Sequence, residues 1–141
     1  MSLVYWDSML FIYWLEAHPQ FGASVEQIYR KMSRRGDQLC TGVFTIGEVL
    51  TGPYKAGSTD KAQQVAAYFR SDAIRILSFN FEAAELYAQI RARHNVSPAD
   101  AIHLATASAA QVDLYITNDK KVKNLVVDGI KFIANLSGAV F

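Results

Sequence analysis

Two hydrophobic periods alternate along this chain. Short, dense runs of apolar and β-favouring residues read as strands: LVYW at Leu3–Trp6, QLCTGV at Gln38–Val43, IRILSF at Ile74–Phe79, DLYIT at Asp113–Thr117, and IKFI at Ile130–Ile133. Between them apolar residues recur at helical spacing, as Val25, Ile28, Tyr29 and Met32 do in a helix predicted over Phe21–Arg34. Further helices are predicted over Ser8–Ala17, from Thr45 to a stop at Gly52 and Pro53, and over Asp60–Arg70. Asn80 reads as the N-cap of Phe81–Arg93, and Pro98 takes the first position of a helix over Ser97–Ala110. A short helix is predicted around Lys121–Val126. Strands alternating with helices imply βαβ units, hence an α/β fold with a mainly parallel sheet and helices on both faces. Right-handed crossovers then place the strand-to-helix junctions along one edge of that sheet.

Length and composition narrow the function classes. At 141 residues the chain forms one domain, 1–141, with room for a real core. Half the residues are apolar (51%), which excludes a disordered chain. A net charge of +1 supplies no general pull on a polyanion, so a nucleic-acid partner must be held by a local patch or through metal ions. The single cysteine, Cys40, cannot form an internal disulfide and reads as a buried, inert thiol, which fits a reducing cytoplasm. The longest apolar run, Ser8–Leu15, falls far short of the roughly 20 residues of a membrane span.

Four carboxylates stand where helices are predicted to begin: Asp7 in YWDSML, Glu48 in TIGEVL, Asp100 in SPADAI and Asp119 in ITNDKK. Each has a plain structural reading. Thr45 with Glu48, and Ser97 with Asp100, have the form of capping boxes, and Asp7 and Asp119 could be simple N-caps. Position argues for more. Asp7, Glu48 and Asp119 each follow a predicted strand, so they converge on the carboxyl edge, where open α/β sheets bind ligands. Asp100 follows a helix, and only its place in an Ala-rich helix suited to close packing puts it nearby. Two like charges about 5 Å apart repel by roughly 3 kcal/mol at an effective dielectric near 20. A proton or a divalent cation relieves that, and an all-oxygen donor set favours Mg²⁺ or Mn²⁺.

In order and context these acids resemble the PIN-domain nucleases, and VapC-type toxins of toxin–antitoxin pairs in particular. The resemblance rests on Asp7 and Ser8 after the first strand, Glu48 in TIGEVLTGP, Asp100 in SPADAIHLATA, and Thr117, Asn118 and Asp119 at the end of a late strand. It extends over nearly the whole chain. It implies a five-stranded parallel sheet in a single PIN-like domain and a Mg²⁺- or Mn²⁺-dependent endoribonuclease that hydrolyses RNA phosphodiesters with metal-activated water. Asp7, Asp100 and Asp119 would then be metal ligands. Glu48 would bind metal directly or through water, or orient the nucleophile, and Ser8 and Thr117 would be accessory hydroxyls. The same resemblance implies a small cognate antitoxin as protein partner and a possible homodimer.

Other residues carry weaker signals. His103, three positions after Asp100, could hydrogen-bond a carboxylate or a phosphate, although a packing role is the plainer reading. Lys120 and Lys121 could touch an RNA backbone or simply face solvent. Arg34, Arg35, Arg91, Arg93 and His94 lie at predicted helix C-termini, where the macrodipole accounts for them without RNA. Two other functional readings compete with the nuclease. One is a non-catalytic PIN-like module that binds RNA or protein. The other is a signalling receiver domain, which the missing acid pair after the first strand and the missing Asp after a middle strand argue against.

Overall fold

The computed structural model describes residues 1–136. The chain runs β1 (Leu3–Trp6), α1 (Ser8–Leu15), α2 (Gly22–Arg35), β2 (Gln38–Gly42), α3 (Val43–Lys55), α4 (Thr59–Arg70) and β3 (Arg75–Leu77). It continues through α5 (Phe81–Arg93), α6 (Pro98–Ala109), β4 (Leu114–Thr117) and β5 (Phe132–Asn135). The five strands form one sheet in the order β3-β2-β1-β4-β5, and every pairing is parallel. The predicted α/β architecture is therefore present, with β1 at its centre.

Side-chain alternation along the strands divides the core in two. Val4 and Trp6 of β1, Leu39 of β2 and Ile116 of β4 point to one face. There they meet Leu10 and Phe11 of α1, Val25, Ile28 and Met32 of α2, Val49 of α3, and Val65 and Phe69 of α4. Tyr5, Cys40 and Tyr115 point to the other face, against Ile90 of α5 and Ala101, Leu104 and Ala105 of α6. A strand buried on both faces reads as a continuous apolar run, which is why LVYW was legible. Cys40 is buried and free, as expected. Among the described residues no helix is long and apolar enough to cross a membrane.

The connectivity has one functional consequence. From β1 the chain builds outward through β2 to β3, then returns to the other side of β1 for β4 and β5. The β1–β4 junction is thus the topological switch point, the place where a crevice opens beyond the carboxyl ends of the strands. Asp7 leaves β1 and Asp119 follows β4 on either side of it.

Several boundaries differ from expectation, each for a local reason. Helix α3 starts at Val43, straight out of β2, so Thr45 and Glu48 lie inside it and form no capping box. It also continues through Pro53 to Lys55: Pro53 lies in the last turn, where it removes one amide, and the amides of Ala56 and Ser58 bond the carbonyls of Gly52 and Pro53 to close the helix end. The predicted short helix around Lys121–Val126 is a set of turns, in which the amides of Val122 and Lys123 bond the Asp119 carbonyl. Strand β3 is shorter than Ile74–Phe79. The last strand lies two residues later than IKFI, because Ile130 is held in a turn by its amide bond to the Val127 carbonyl.

That turn depends on Gly129. Its φ is +90°, and a Cβ there would stand 2.6 Å from the Ser108 carbonyl oxygen. Gly129→Ala combines a left-handed backbone with a backbone clash. It is expected to lower stability by at least about 2 kcal/mol, measured by urea unfolding; an unchanged midpoint would refute this account of the turn.

Candidate active site

Asp7 is the first polar residue after the central strand, and it is buried, with 7% of its surface exposed. It occupies the N-cap position of α1, but its side chain makes no capping bond. The Thr117 hydroxyl at the end of β4 donates instead to its Oδ2 at 2.6 Å. The amides of Met9 and Leu10 face the carboxylate, yet neither closes a hydrogen bond to Oδ1, which is buried and has no hydrogen-bond partner. Burial pushes the Asp7 pKa up, against the Thr117 hydrogen bond, the nearby His103 and the Leu10 and Met9 amides. A buried carboxylate with one empty oxygen is costly unless a proton or a cation meets it.

Asp100 comes to the same place from a helix. Ser97 caps α6 by accepting the Asp100 amide at 3.1 Å, and Pro98 occupies the first turn where its missing N–H costs nothing. The serine half of the expected capping box is therefore present, and it fixes the backbone that carries the aspartate. The Asp100 carboxyl is pushed up to about 6 by burial first, then by its contact with the Asp119 carboxyl and that group's charge, with the Asp7 charge adding to them and Ser97 opposing. Asp119 is fixed by its own loop: its Oδ1 accepts the Lys121 amide at 2.8 Å, and its amide donates to Thr117 Oγ1 at 3.0 Å. Thr117 thus ties Asp7 to Asp119, and the charges of both bear on Asp100 although all three are remote in sequence.

Glu48 belongs to an adjoining network. It lies in the second turn of α3, and its Oε1 accepts both the Ser8 hydroxyl and His103 Nε2, the latter at 2.6 Å. Half-burial works to raise its pKa, but the hydrogen bonds from His103 and Ser8 outweigh it, and the net direction is down. His103 is buried, as a packing histidine would be, with the Phe44 ring edge-on to it at 5.5 Å. It also bonds a carboxylate, the role its spacing from Asp100 allowed. Sequence reasoning missed Tyr5, whose hydroxyl lies 2.8 Å from His103 Nδ1. It also missed Thr41 and Thr45, whose hydroxyls meet at 2.7 Å beneath the site. The spacing of four between those threonines was the only available sign of them.

The basic residues divide. Lys120 and Lys121 are exposed beside Asp119. Arg34 and Arg35 end α2, at the edge where β2 begins and so opposite the acids, and Arg35 pairs with Asp37 at 2.8 Å. Arg91 lies over the Tyr87 ring and donates to its hydroxyl.

Among the described residues, no three His, Cys, Asp or Glu side chains are grouped closely enough to chelate an ion as they lie. The partnerless Asp7 Oδ1 and the mutual repulsion of Asp7, Asp100 and Asp119 nevertheless suit a hard divalent cation, since their donors are all oxygen. In sequence, the family model described as the PIN domain matches residues 4–127. No curated protein matches the chain. In structure, the fold is similar to VapBC2 from Rickettsia felis bound to a DNA fragment from its promoter, with TM-score 0.75, 15% identity, and coverage of 94% of this chain and 98% of that chain. It is also similar to a toxin–antitoxin complex from Klebsiella pneumoniae, with TM-score 0.67, 18% identity, and 90% and 94% coverage. A third similar structure is VapC20 from Mycobacterium tuberculosis, described as a sarcin–ricin loop cleaving toxin, with TM-score 0.67, 16% identity, and 79% and 86% coverage.

The Asp100 shift has a defined consequence for stability. Folding raises this carboxyl from 3.8 to about 6, so the folded chain holds a proton that the unfolded chain releases. Stability of the metal-free protein therefore falls as pH rises through that window and levels off above it. Urea unfolding in chelator between about pH 4 and 7 should show this slope, and Asp100→Asn should reduce it, leaving the share contributed by the raised Asp7 carboxyl. A slope unchanged by the substitution would assign the whole effect to another group.

Proposed function

Because the chain belongs to the PIN-domain family, we propose that it is a divalent-metal-dependent endoribonuclease and the toxin half of a toxin–antitoxin pair. The observation that carries this reading is the buried Asp7 carboxylate at the switch point, one oxygen partnerless, facing Asp100 and Asp119. Those three aspartates would hold a Mg²⁺ or Mn²⁺ ion. When bound, the ion supplies Lewis acidity at a phosphodiester and lowers the pKa of a water.

The protein's own groups do the rest. Thr117 holds the Asp7 side chain and the Lys121 amide the Asp119 side chain, while the Ser97 cap fixes the backbone at Asp100. Glu48, kept ionised by its donors on Oε1, has Oε2 outside that network and suited to orient an attacking water or take up its proton. Exposed Lys120 and Lys121 offer contacts to an RNA backbone at the mouth of the site. The toxin role draws support from the toxin–antitoxin complexes that share the fold, and RNA as substrate from the cleaving toxin among them. A small antitoxin and a second copy of the chain are the partners this reading implies. Location in the cytoplasm follows from it as well.

A non-catalytic PIN-like module that binds RNA or protein is the second reading, and the lack of a closed three-donor group favours it. One experiment separates the two. Wild-type protein with Mn²⁺ should cleave single-stranded RNA, while Asp7→Asn and Asp100→Asn should lose about 100-fold or more in rate. Both variants should unfold at or above the wild-type urea midpoint, because each replaces a repelled charge with a neutral amide. Cleavage by either variant at the wild-type rate would overturn the site assignment, and a wild-type protein that cuts no RNA would leave the binding module.

A further inference from the structure

The polar network beneath Glu48 has a direction that can be followed hydrogen by hydrogen. Thr41 has one hydroxyl hydrogen, and it is committed to the Trp6 carbonyl at 2.8 Å. Thr41 Oγ1 therefore accepts from Thr45, which spends the Thr45 hydrogen. Thr45 lies 3.5 Å from His103 Nδ1, at the limit of hydrogen bonding, and also meets the Tyr5 hydroxyl. The Tyr5 hydroxyl is the nearer partner of Nδ1, 2.8 Å away and able to donate to it. Burial keeps that hydroxyl protonated, since it pushes the Tyr5 pKa far up. With Nδ1 accepting, the imidazole hydrogen sits on Nε2, 2.6 Å from Glu48 Oε1.

The surroundings enforce this arrangement. Tyr5 is stacked flat on Tyr115, with ring centroids 5.0 Å apart and planes 6° apart, so its hydroxyl has little freedom. Gly42 leaves room for that hydroxyl: a Cβ there would stand 3.2 Å from it and 3.0 Å from Thr106 Cγ2. Ser8, the neighbour of Asp7, donates to the same Glu48 oxygen and lies 3.2 Å from Nε2. Glu48 is thereby pinned from two elements, β1–α1 through Ser8 and α6 through His103, although it is itself on α3.

We infer that His103 is a positioning residue: Tyr5 fixes its ring orientation and tautomer through Nδ1, and its imidazole donates from Nε2 to hold Glu48 in one place beside Asp7. The kinetic part of this inference rests on the nuclease reading; the tautomer does not. A histidine with a packing role alone would not change the cleavage rate through Glu48 when its Tyr5 partner is removed. The imidazole is thus a second means of support, independent of the Thr117 link that holds Asp7.

Two measurements test it. Nitrogen-15 NMR of the histidine side chains near pH 8, with His103 assigned through His103→Gln, should show the hydrogen on Nε2 and an unprotonated, hydrogen-bonded Nδ1. Tyr5→Phe should erase the Nδ1 hydrogen-bond signature. A hydrogen on Nδ1 in the wild type would overturn the proposal. In single-turnover cleavage with Mn²⁺, Tyr5→Phe should lower kcat by about tenfold with KM unchanged, and should cost nothing further in a Glu48→Gln background. His103→Gln, whose amide can still donate, should retain more activity than His103→Leu. An equal loss from Tyr5→Phe in both backgrounds would overturn the positioning role. If the wild type cleaves no RNA, the nuclease reading fails while the histidine spectrum still decides the tautomer.

Discussion

Everything at the carboxyl edge of this sheet is organised around one unfavourable fact, the burial of the Asp7 carboxylate. Placing a charge out of water at the end of the central strand is tolerable only with partners. The fold supplies one, the Thr117 hydroxyl on Oδ2, and leaves Oδ1 bare. It then brings two more aspartates toward the same point. An arrangement selected for stability alone would place a cation or a donor there from the chain itself. The Met9 and Leu10 amides and His103 ease the charge without closing a hydrogen bond on Oδ1, which is the oxygen a cation would meet under the proposed reading.

The means of support are distributed over the fold. Thr117 serves Asp7 and Asp119 together from β4, the strand beside β1. The α6 cap aims Asp100, and the same helix carries His103 one turn further on, so a single helix serves both the aspartate group and Glu48. Its Ala-rich face makes this possible, because Ala101, Ala105 and Ala107 allow it to lie close against the sheet. That close approach explains why an apolar helix begins with an acid. The cap, the packing face and the acid serve the same placement.

How much of this was legible in the sequence depended on whether the cause was local. Strand runs such as LVYW and DLYIT announced themselves by composition, and the junction argument located Asp7 and Asp119 from connectivity alone. Ser97 and Asn80 were readable as caps because capping is decided within one turn. Asp100 could be placed by resemblance but not by the strand argument, since a helix start has no fixed address on the sheet. The start of α3 was misjudged because β2 passes into helix at Val43 with no loop to mark it, which moved Glu48 from a capping position into the second turn. Pro53 read as a stop, but it falls in the last turn of α3, where the loss of one amide does not end the helix. His103 was legible from its spacing to Asp100, but the tyrosine and two threonines under Glu48 left almost no trace, because the network joins residues up to 98 positions apart.

The central claim is that the empty oxygen of Asp7 belongs to a shared divalent cation. The most direct measurement is anomalous diffraction from crystals grown with Mn²⁺. The account predicts one strong manganese peak in contact with Asp7 Oδ1, with Asp100 or Asp119 also bound to it. A map with no peak there, and Oδ1 instead hydrogen-bonded to a protonated Asp100 or to a water, would contradict it.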